Sequence, residues 1–283
     1  MQNTIKNPIE FSGISLHSGF NTSIALKASP EDTGITFIRA DVKDKNNILH
    51  VSYDNIICTN LCTSIQNTSG VTINTIEHLL AALWALDIDN VVIEICGDEI
   101  PILDGSSKNF IEILKIADKS PQASKKRILQ IHQPVTIEGE NESKISINPS
   151  ETFSIDLEIE FPHPLILKQK IKFFGDKDEF INHFSNARTF GFEKELKYLN
   201  KNNLALGASL DNVIGLSENA ILNKEGLRYK DEFVRHKVLD MVGDLRVASG
   251  EILGAITAYR PSHSLNSKLI NKIFSNTNNY SWI

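Results

Sequence analysis

Cysteine is scarce in this chain. Cys58, Cys62 and Cys96 are the only three, too few for a disulfide scaffold. The C-x3-C pair of Cys58 and Cys62 has no second pair to match it, which excludes a zinc ribbon. Free thiols in a reducing compartment are the simplest reading. Long apolar runs are missing too. No stretch approaches the roughly 18 uninterrupted apolar residues of a membrane span. The opening MQNTIKNPIEFSGISLHSG carries no apolar core of a secretory signal. A cytoplasmic protein without a transmembrane segment is therefore expected. An excess of basic charge is also absent, with 29 Lys and Arg against 35 Asp and Glu, a net charge of −6. That balance argues against nucleic acid as a partner, because no cationic surplus exists to neutralise phosphates. It leaves room for one anionic ligand held by a few placed cations.

Core-forming residues are plentiful. Hydrophobic residues make up 41% of the 283 and charged residues 23%, which excludes disorder and coiled coil. The length suggests about two domains. The break falls at 118–127 (DKSPQASKKR), a polar stretch with Ser, Pro and a basic run that reads as an interdomain linker. This predicts an N-terminal α+β domain over 1–120 and a C-terminal α+β domain over 127–283. Strand-like runs lie on both sides, at 90–95, 128–131 and 153–161. In the last, Phe153, Ile155, Leu157, Ile159 and Phe161 alternate, as a sheet with one buried face requires.

Two helices stand out. Ile76, Leu79, Leu80, Leu83 and Trp84 follow the i, i+3, i+4, i+7, i+8 pattern of one helix face. Thr75 suits its N-cap, and Glu77 suits the positive end of its dipole. Val234, Val238, Met241, Val242 and Leu245 form the stripe of the second helix. An apolar strand follows each helix, which hints at a duplicated α+β unit, although helix–strand pairs are common in unrelated folds.

The polar residues of these helices say more than their stripes. His78 lies two positions from Ile76, about 200° round the wheel, and His236 stands in the same relation to Val234. His236 and Asp240 are four apart and share a face, which Asp244 continues one turn later. Imidazole at i with carboxylate at i+4 makes a two-point metal clamp. A third ligand would leave one position open for water, the arrangement of catalytic zinc. Non-haem iron also takes two His and one carboxylate. Spacing alone does not choose between them, nor does it exclude an ordinary surface hydrogen-bonded pair with His78 as a packing or capping residue.

Longer motifs carry more. TIEHLLAALWALDIDN (75–90), ILDGSS (102–107), ARTFGF (187–192), LALGASLDNVI (204–214), EFVRHKVLDMVGDL (232–245) and GAITAYRPSHSLN (254–266) occur in this order. With them the chain resembles the UDP-3-O-acyl-N-acetylglucosamine deacetylases, zinc amidases of lipid A biosynthesis in Gram-negative bacteria. The resemblance runs from GISLHSG (13–19) to the C-terminus. It departs at Ser15, where Gly is common, and in the turn at 248–251.

The resemblance implies an α+β fold of two similar domains of sheet plus helices. They would pack face to face, each with a small insert and the active site between them. It implies zinc-dependent hydrolysis of the N-acetyl group of UDP-3-O-acyl-N-acetylglucosamine to UDP-3-O-acyl-glucosamine and acetate, the committed step of lipid A biosynthesis. The alternatives are a zinc amidase for another acylated substrate and a catalytically silent sugar-nucleotide binding protein. His78, His236 and Asp240 match the ligands of one catalytic Zn2+, with Fe2+ as the other ion considered for the cell. Glu77 matches the general base and His263 the second acid–base group. Asp244 matches the carboxylate that orients His263. Lys237 matches a substrate-contacting lysine and Thr189 an oxyanion-holding hydroxyl. Phe161 and Phe190 match sugar-nucleotide contacts, and Leu61 and Cys62 the strand flanking the metal. The stretch 193–223 matches an insert forming an apolar passage for the acyl chain, with Leu204, Leu206, Ala208 and Val213 as its residues. Each CH2 buried there is worth about 0.8 kcal/mol. His17, in a Gly-rich turn, is assigned to substrate binding. His50, His132, His163 and His183 default to structural roles, and Asp104–Gly105–Ser106 is a turn beside the site. A monomer acting on a small-molecule substrate is expected.

Overall fold

The computed structural model describes residues 1–57 and 61–283, so Cys58 lies outside the described residues. Alternation builds the sheets. In the strand Phe153–Phe161, Ile155, Leu157 and Ile159 are fully buried while Asp156 and Glu158 stay partly exposed. This strand pairs in parallel with Glu251–Tyr259, which pairs antiparallel with Lys144–Asn148 on its other edge. Ile128–Ile131 extends the parallel edge in a seven-stranded sheet. A second sheet of five strands is ordered Ile9–Ile14, Asn21–Ala28, Val91–Cys96, Ile35–Arg39 and Ile48–His50. Here Val91–Cys96 lies between an antiparallel and a parallel neighbour. Each of these two strands follows a buried helix and enters its sheet between neighbours of opposite sense, so one local topology occurs twice. The fold is mixed α+β.

Six α-helices occur among the described residues: α1 (Glu77–Ala85), α2 (Lys108–Ala117), α3 (Lys177–His183), α4 (Glu193–Lys201), α5 (Glu232–Leu245) and α6 (His263–Phe274). A single apolar stripe understates α1, because all nine of its residues are buried. It packs against α2, α3 and α5, so even its polar face meets protein. A helix covered on all sides can hold a polar residue only if that residue finds a partner. The stripe expected for α5 is buried as predicted, and His236, Asp240 and Asp244 are buried with it. The two helices cross where α5 has Gly243. A Cβ at Gly243 would lie 2.0 Å from the Glu77 carbonyl oxygen, so any side chain there would push α1 away.

Two local expectations are corrected. Thr75 does not cap α1. It takes φ +58°, rare for a β-branched residue, and its hydroxyl donates to Glu99 at 3.1 Å. Ile76 occupies the cap position without a side-chain hydrogen bond. The segment 118–127 is not wholly irregular, because Lys119–Pro121 pairs antiparallel with Asn3–Ile5. The N-terminal strand supplies backbone partners that the polar composition of this segment does not advertise. No described helix is long and apolar enough to cross a membrane.

Charge ties the far end of α1 to the larger sheet. Asp87, just past α1, accepts from Lys126 and Lys177, and Lys177 also reaches Glu251 at 2.7 Å. Glu251 accepts the indole N–H of Trp84 at 3.1 Å. Burial alone would raise the Asp87 pKa, but the two lysines outweigh it and bring it down to about 2. A carboxyl depressed below its unfolded value near 3.9 stabilises the fold above that pH, and the contribution fades as pH falls toward 2. Asp87→Asn is therefore expected to cost about 1 kcal/mol at pH 7, allowing for partial solvent screening. In urea titrations the gap between variant and parent should shrink between pH 5 and pH 3. An equal gap at both ends of that range would show that the ion pairs contribute nothing.

Candidate active site at the crossing of two buried helices

The N-terminal turn of α1 and the middle of α5 bring three ligand-type side chains together. One donor atom each from His78, His236 and Asp240 lie within 4.8 Å of one another. Asp240 Oδ1 stands 3.4 Å from His78 Nε2 and 3.1 Å from His236 Nε2. The imidazole planes are nearly perpendicular, at 87°. His236 Nδ1 is 3.1 Å from the carbonyl oxygen of Ala187. A carbonyl can only accept, so Nδ1 carries the hydrogen and Nε2 is left as the lone-pair atom facing Asp240.

An ordinary His–Asp pair would put a proton on Asp240 Oδ1. That atom is buried and has no hydrogen-bond partner. Burial also disfavours charge on His78 and lowers its pKa, with Asp240 pulling the other way. Burial would raise the Asp240 pKa, and a charged His236 and the Lys237 ammonium pull it well below the ordinary range; with His236 neutral, Lys237 is the cation that keeps Asp240 ionised. Lys237 Nζ donates to the other oxygen, Oδ2, at 2.7 Å. A carboxylate oxygen left bare among buried imidazoles is costly unless a cation meets it. The donor set of two nitrogens and one oxygen fits a divalent metal.

Two further groups flank this cluster. The Glu77 carboxylate opens α1, and its Oε2 accepts the backbone N–H of Thr63 at 3.0 Å. Its Oε1 lies 3.9 Å from His263 Nε2. His263 starts α6, whose first turn is capped by the Ser262 hydroxyl on Leu265 N–H. Its Nδ1 donates to Asp244 Oδ2 at 2.9 Å, which turns Nε2 toward the cluster. Asp244 accepts two more bonds, from Asn266 at 2.7 Å and from the Thr63 hydroxyl at 2.5 Å. Burial works against a charged His263, but Asp244, Glu77 and Asp240 together outweigh it and raise its pKa to about 10. Burial pushes the Glu77 carboxyl well above its ordinary range, with His263 drawing it partly back.

These groups border a cavity of about 1250 Å³. Of the residues singled out from sequence, Glu77, His78, His236, Lys237, Asp240 and His263 line it, as do Thr189, Phe190, Phe161 and Leu61. Lys237 also sits 5.6 Å over the Phe190 ring. Asp244 stands behind His263 rather than on the wall. Thr189 is placed by the 104–106 turn, because its N–H donates to the Gly105 carbonyl at 2.8 Å. Gly105 has φ +82°, and a Cβ there would meet Asn212 O at 2.0 Å, so only glycine fits.

Besides Asp244, six expected site residues do not border this cavity: Cys62, His17, Leu204, Leu206, Ala208 and Val213. Cys62 is buried with its Sγ against the Ser64 hydroxyl. The His17 imidazole faces the backbone of Ala205, and its own carbonyl accepts Leu206 N–H at 3.0 Å. His17 thus fastens the turn at 16–18 to the segment 204–208, and Leu206 is left half exposed on the outside. Cys96, the third thiol, is exposed on the five-stranded sheet. Three of the other histidines make side-chain hydrogen bonds away from the cavity. His50 meets Thr36, His132 meets Ser281, and His163 reaches the Ser217 carbonyl.

Sequence reading overlooked Thr63, Asn266 and Ser107. Ser107 donates to the His78 carbonyl at 2.9 Å. Their partners lie 181, 22 and 29 positions away, so no local pattern announces them. The adjacency of Thr63 to Leu61 and Cys62 is the nearest to a signal.

Comparison with known proteins adds independent weight. The sequence profile described as LpxC, UDP-3-O-acyl N-acetylglycosamine deacetylase, matches residues 2–275. A UDP-3-O-acyl-N-acetylglucosamine deacetylase from Psychrobacter sp. (strain PRwf-1) is 42% identical over 281 residues, covering 99% of this chain and 94% of the relative. The protein of that name from Wigglesworthia glossinidia brevipalpis is 41% identical over 283 residues, with 99% and 94% covered. That from Pseudoalteromonas atlantica is 39% identical over 277 residues, covering 97% and 90%. Similarity at this level, sustained over nearly the full length of both partners, means that the chain belongs to the UDP-3-O-acyl N-acetylglycosamine deacetylase family.

Proposed function

We propose that this protein hydrolyses the N-acetyl group of UDP-3-O-acyl-N-acetylglucosamine in lipid A biosynthesis, using one divalent metal held by His78, His236 and Asp240. The observation that carries the reading is the bare, buried Asp240 Oδ1 between two imidazoles, flanked by Glu77 and His263. Zn2+ is the ion we favour, because two nitrogens and one oxygen with an open fourth position is its catalytic arrangement, with Fe2+ as the second choice. Bound there, the ion supplies Lewis acidity toward the acetyl carbonyl and lowers the pKa of a water to about 7.

The chain's own residues supply the proton transfers. Glu77, fixed by the Thr63 N–H, is the base that takes the proton of the attacking water. His263 keeps its proton through neutral pH and delivers it from Nε2 to the departing glucosamine nitrogen. Asp244 holds Nδ1–H, so the acid faces the cavity and not the protein. The Thr189 hydroxyl and the Lys237 ammonium, both on the cavity wall, are placed to steady the oxygen that becomes negative. Phe161 and Phe190, 5.5 Å apart edge to face, offer an aromatic wall to the sugar-nucleotide.

The direct test is acetate release from UDP-3-O-acyl-N-acetylglucosamine before and after treatment with a chelator. Activity should vanish with the metal and return on adding Zn2+ or Fe2+. Turnover that survives complete metal removal would overturn the reading. Equal turnover of unrelated acylated amides would favour a broader amidase.

A further inference from the structure

We infer that Thr63 is a positioning residue for the acid–base pair, holding the Glu77 carboxylate with its backbone N–H and the Asp244–His263 pair with its hydroxyl. The inference deepens the deacetylase reading and rests on it. Thr63 precedes the short strand Ser64–Gln66 and is 5% exposed. Its carbonyl accepts Ile76 N–H at 3.2 Å, which anchors it to the start of α1. Its N–H reaches Glu77 Oε2 at 3.0 Å, and its Oγ1 reaches Asp244 Oδ1 at 2.5 Å. An ionised carboxylate can only accept, so the hydroxyl hydrogen is committed to Asp244.

That commitment has a geometric result. With Oδ1 tied to Thr63 and Oδ2 tied to Asn266, the Asp244 carboxylate plane is fixed. His263 Nδ1 then meets both oxygens, at 2.9 and 3.1 Å, and the ring has one orientation. Nε2 points into the cavity, 3.9 Å from Glu77 Oε1. Thr63 joins the base on α1 to the acid on α6 through a single residue, although Asp244 lies 181 positions further along the chain. Without the hydroxyl, Asp244 loses a buried donor and gains freedom to turn, and His263 turns with it.

Thr63→Val is the test, because it keeps the N–H and the shape and removes the hydroxyl. Steady-state kinetics on the acylated UDP-sugar should show kcat reduced about 10- to 100-fold, the worth of one hydrogen bond to a charged group. KM and metal content should stay near the wild-type values, since the cavity wall and the three donors are untouched. Thr63→Ser, which restores the hydroxyl, should recover most of kcat. Combined with Asp244→Asn, Thr63→Val should cost less than the product of the two separate losses, because both act on one ring. If Thr63→Val does not fold, Thr63→Ala takes its place in the same comparison with Ser. A valine or alanine variant that turns over at the wild-type rate overturns the inference, as does a serine variant as slow as valine. An inactive wild-type enzyme would instead refute the deacetylase reading itself.

Discussion

His78→Ala should give a folded protein that no longer holds its metal and no longer deacetylates. Two protein donors rarely retain a catalytic ion, and loss of even an outer-shell partner costs about 10- to 100-fold in metal affinity. Loss of a direct ligand should therefore cost at least that much. His78 is buried but borders the cavity, so its replacement by alanine enlarges that cavity and removes some packing. Some stability should be lost, but the Leu79, Leu80 and Leu83 contacts that hold α1 remain. Elemental analysis of the dialysed variant beside the wild type decides the matter. Full occupancy in His78→Ala would remove this residue from the ligand set, and with it the proposed centre.

Glu77→Gln separates chemistry from binding more cleanly than alanine does. Glutamine keeps an oxygen for the Thr63 N–H, so α1 keeps its first turn in place. What disappears is the group able to take a proton 3.9 Å from His263 Nε2. A positioned general base is worth about 10² to 10⁴ in rate. The variant should lose kcat within that range while metal content and KM hold. Burial raises the Glu77 pKa, which disfavours a base at neutral pH, and a cation at the His78, His236 and Asp240 cluster acts in the opposite direction. Base strength and metal occupancy are thus linked in this site. Near-normal turnover by Glu77→Gln would leave His263 to carry both proton transfers.

Helical and strand periodicity made much of the fold legible. The alternation at Phe153–Phe161 and the stripes around Leu79 and Val238 mark elements whose apolar residues must leave water. The i, i+4 spacing of His236 and Asp240 placed two donors on one face of α5, because 3.6 residues per turn leaves no other outcome. Family motifs then supplied His78, Glu77 and His263, which no single-element pattern connects. The expected acyl passage was the least legible part. Leu204, Leu206, Ala208 and Val213 share an apolar character with any packed loop, and composition does not say which side of a loop faces a cavity.

The sequence by itself determined the α+β class and the two helices that carry the donors, which follow from periodicity and side-chain chemistry. Its resemblance to one family, and not local geometry, marked which residues bind a metal or move a proton. The tertiary structure decided the rest. It buried α1 on every face, brought its first turn against Gly243 of α5, and so set His78 beside Asp240 across 162 positions of chain. It also stripped Asp240 Oδ1 of any hydrogen bond and gave Thr63 its two carboxylates. Such contacts are set by how helices cross and segments pack, and no spacing along the chain encodes them.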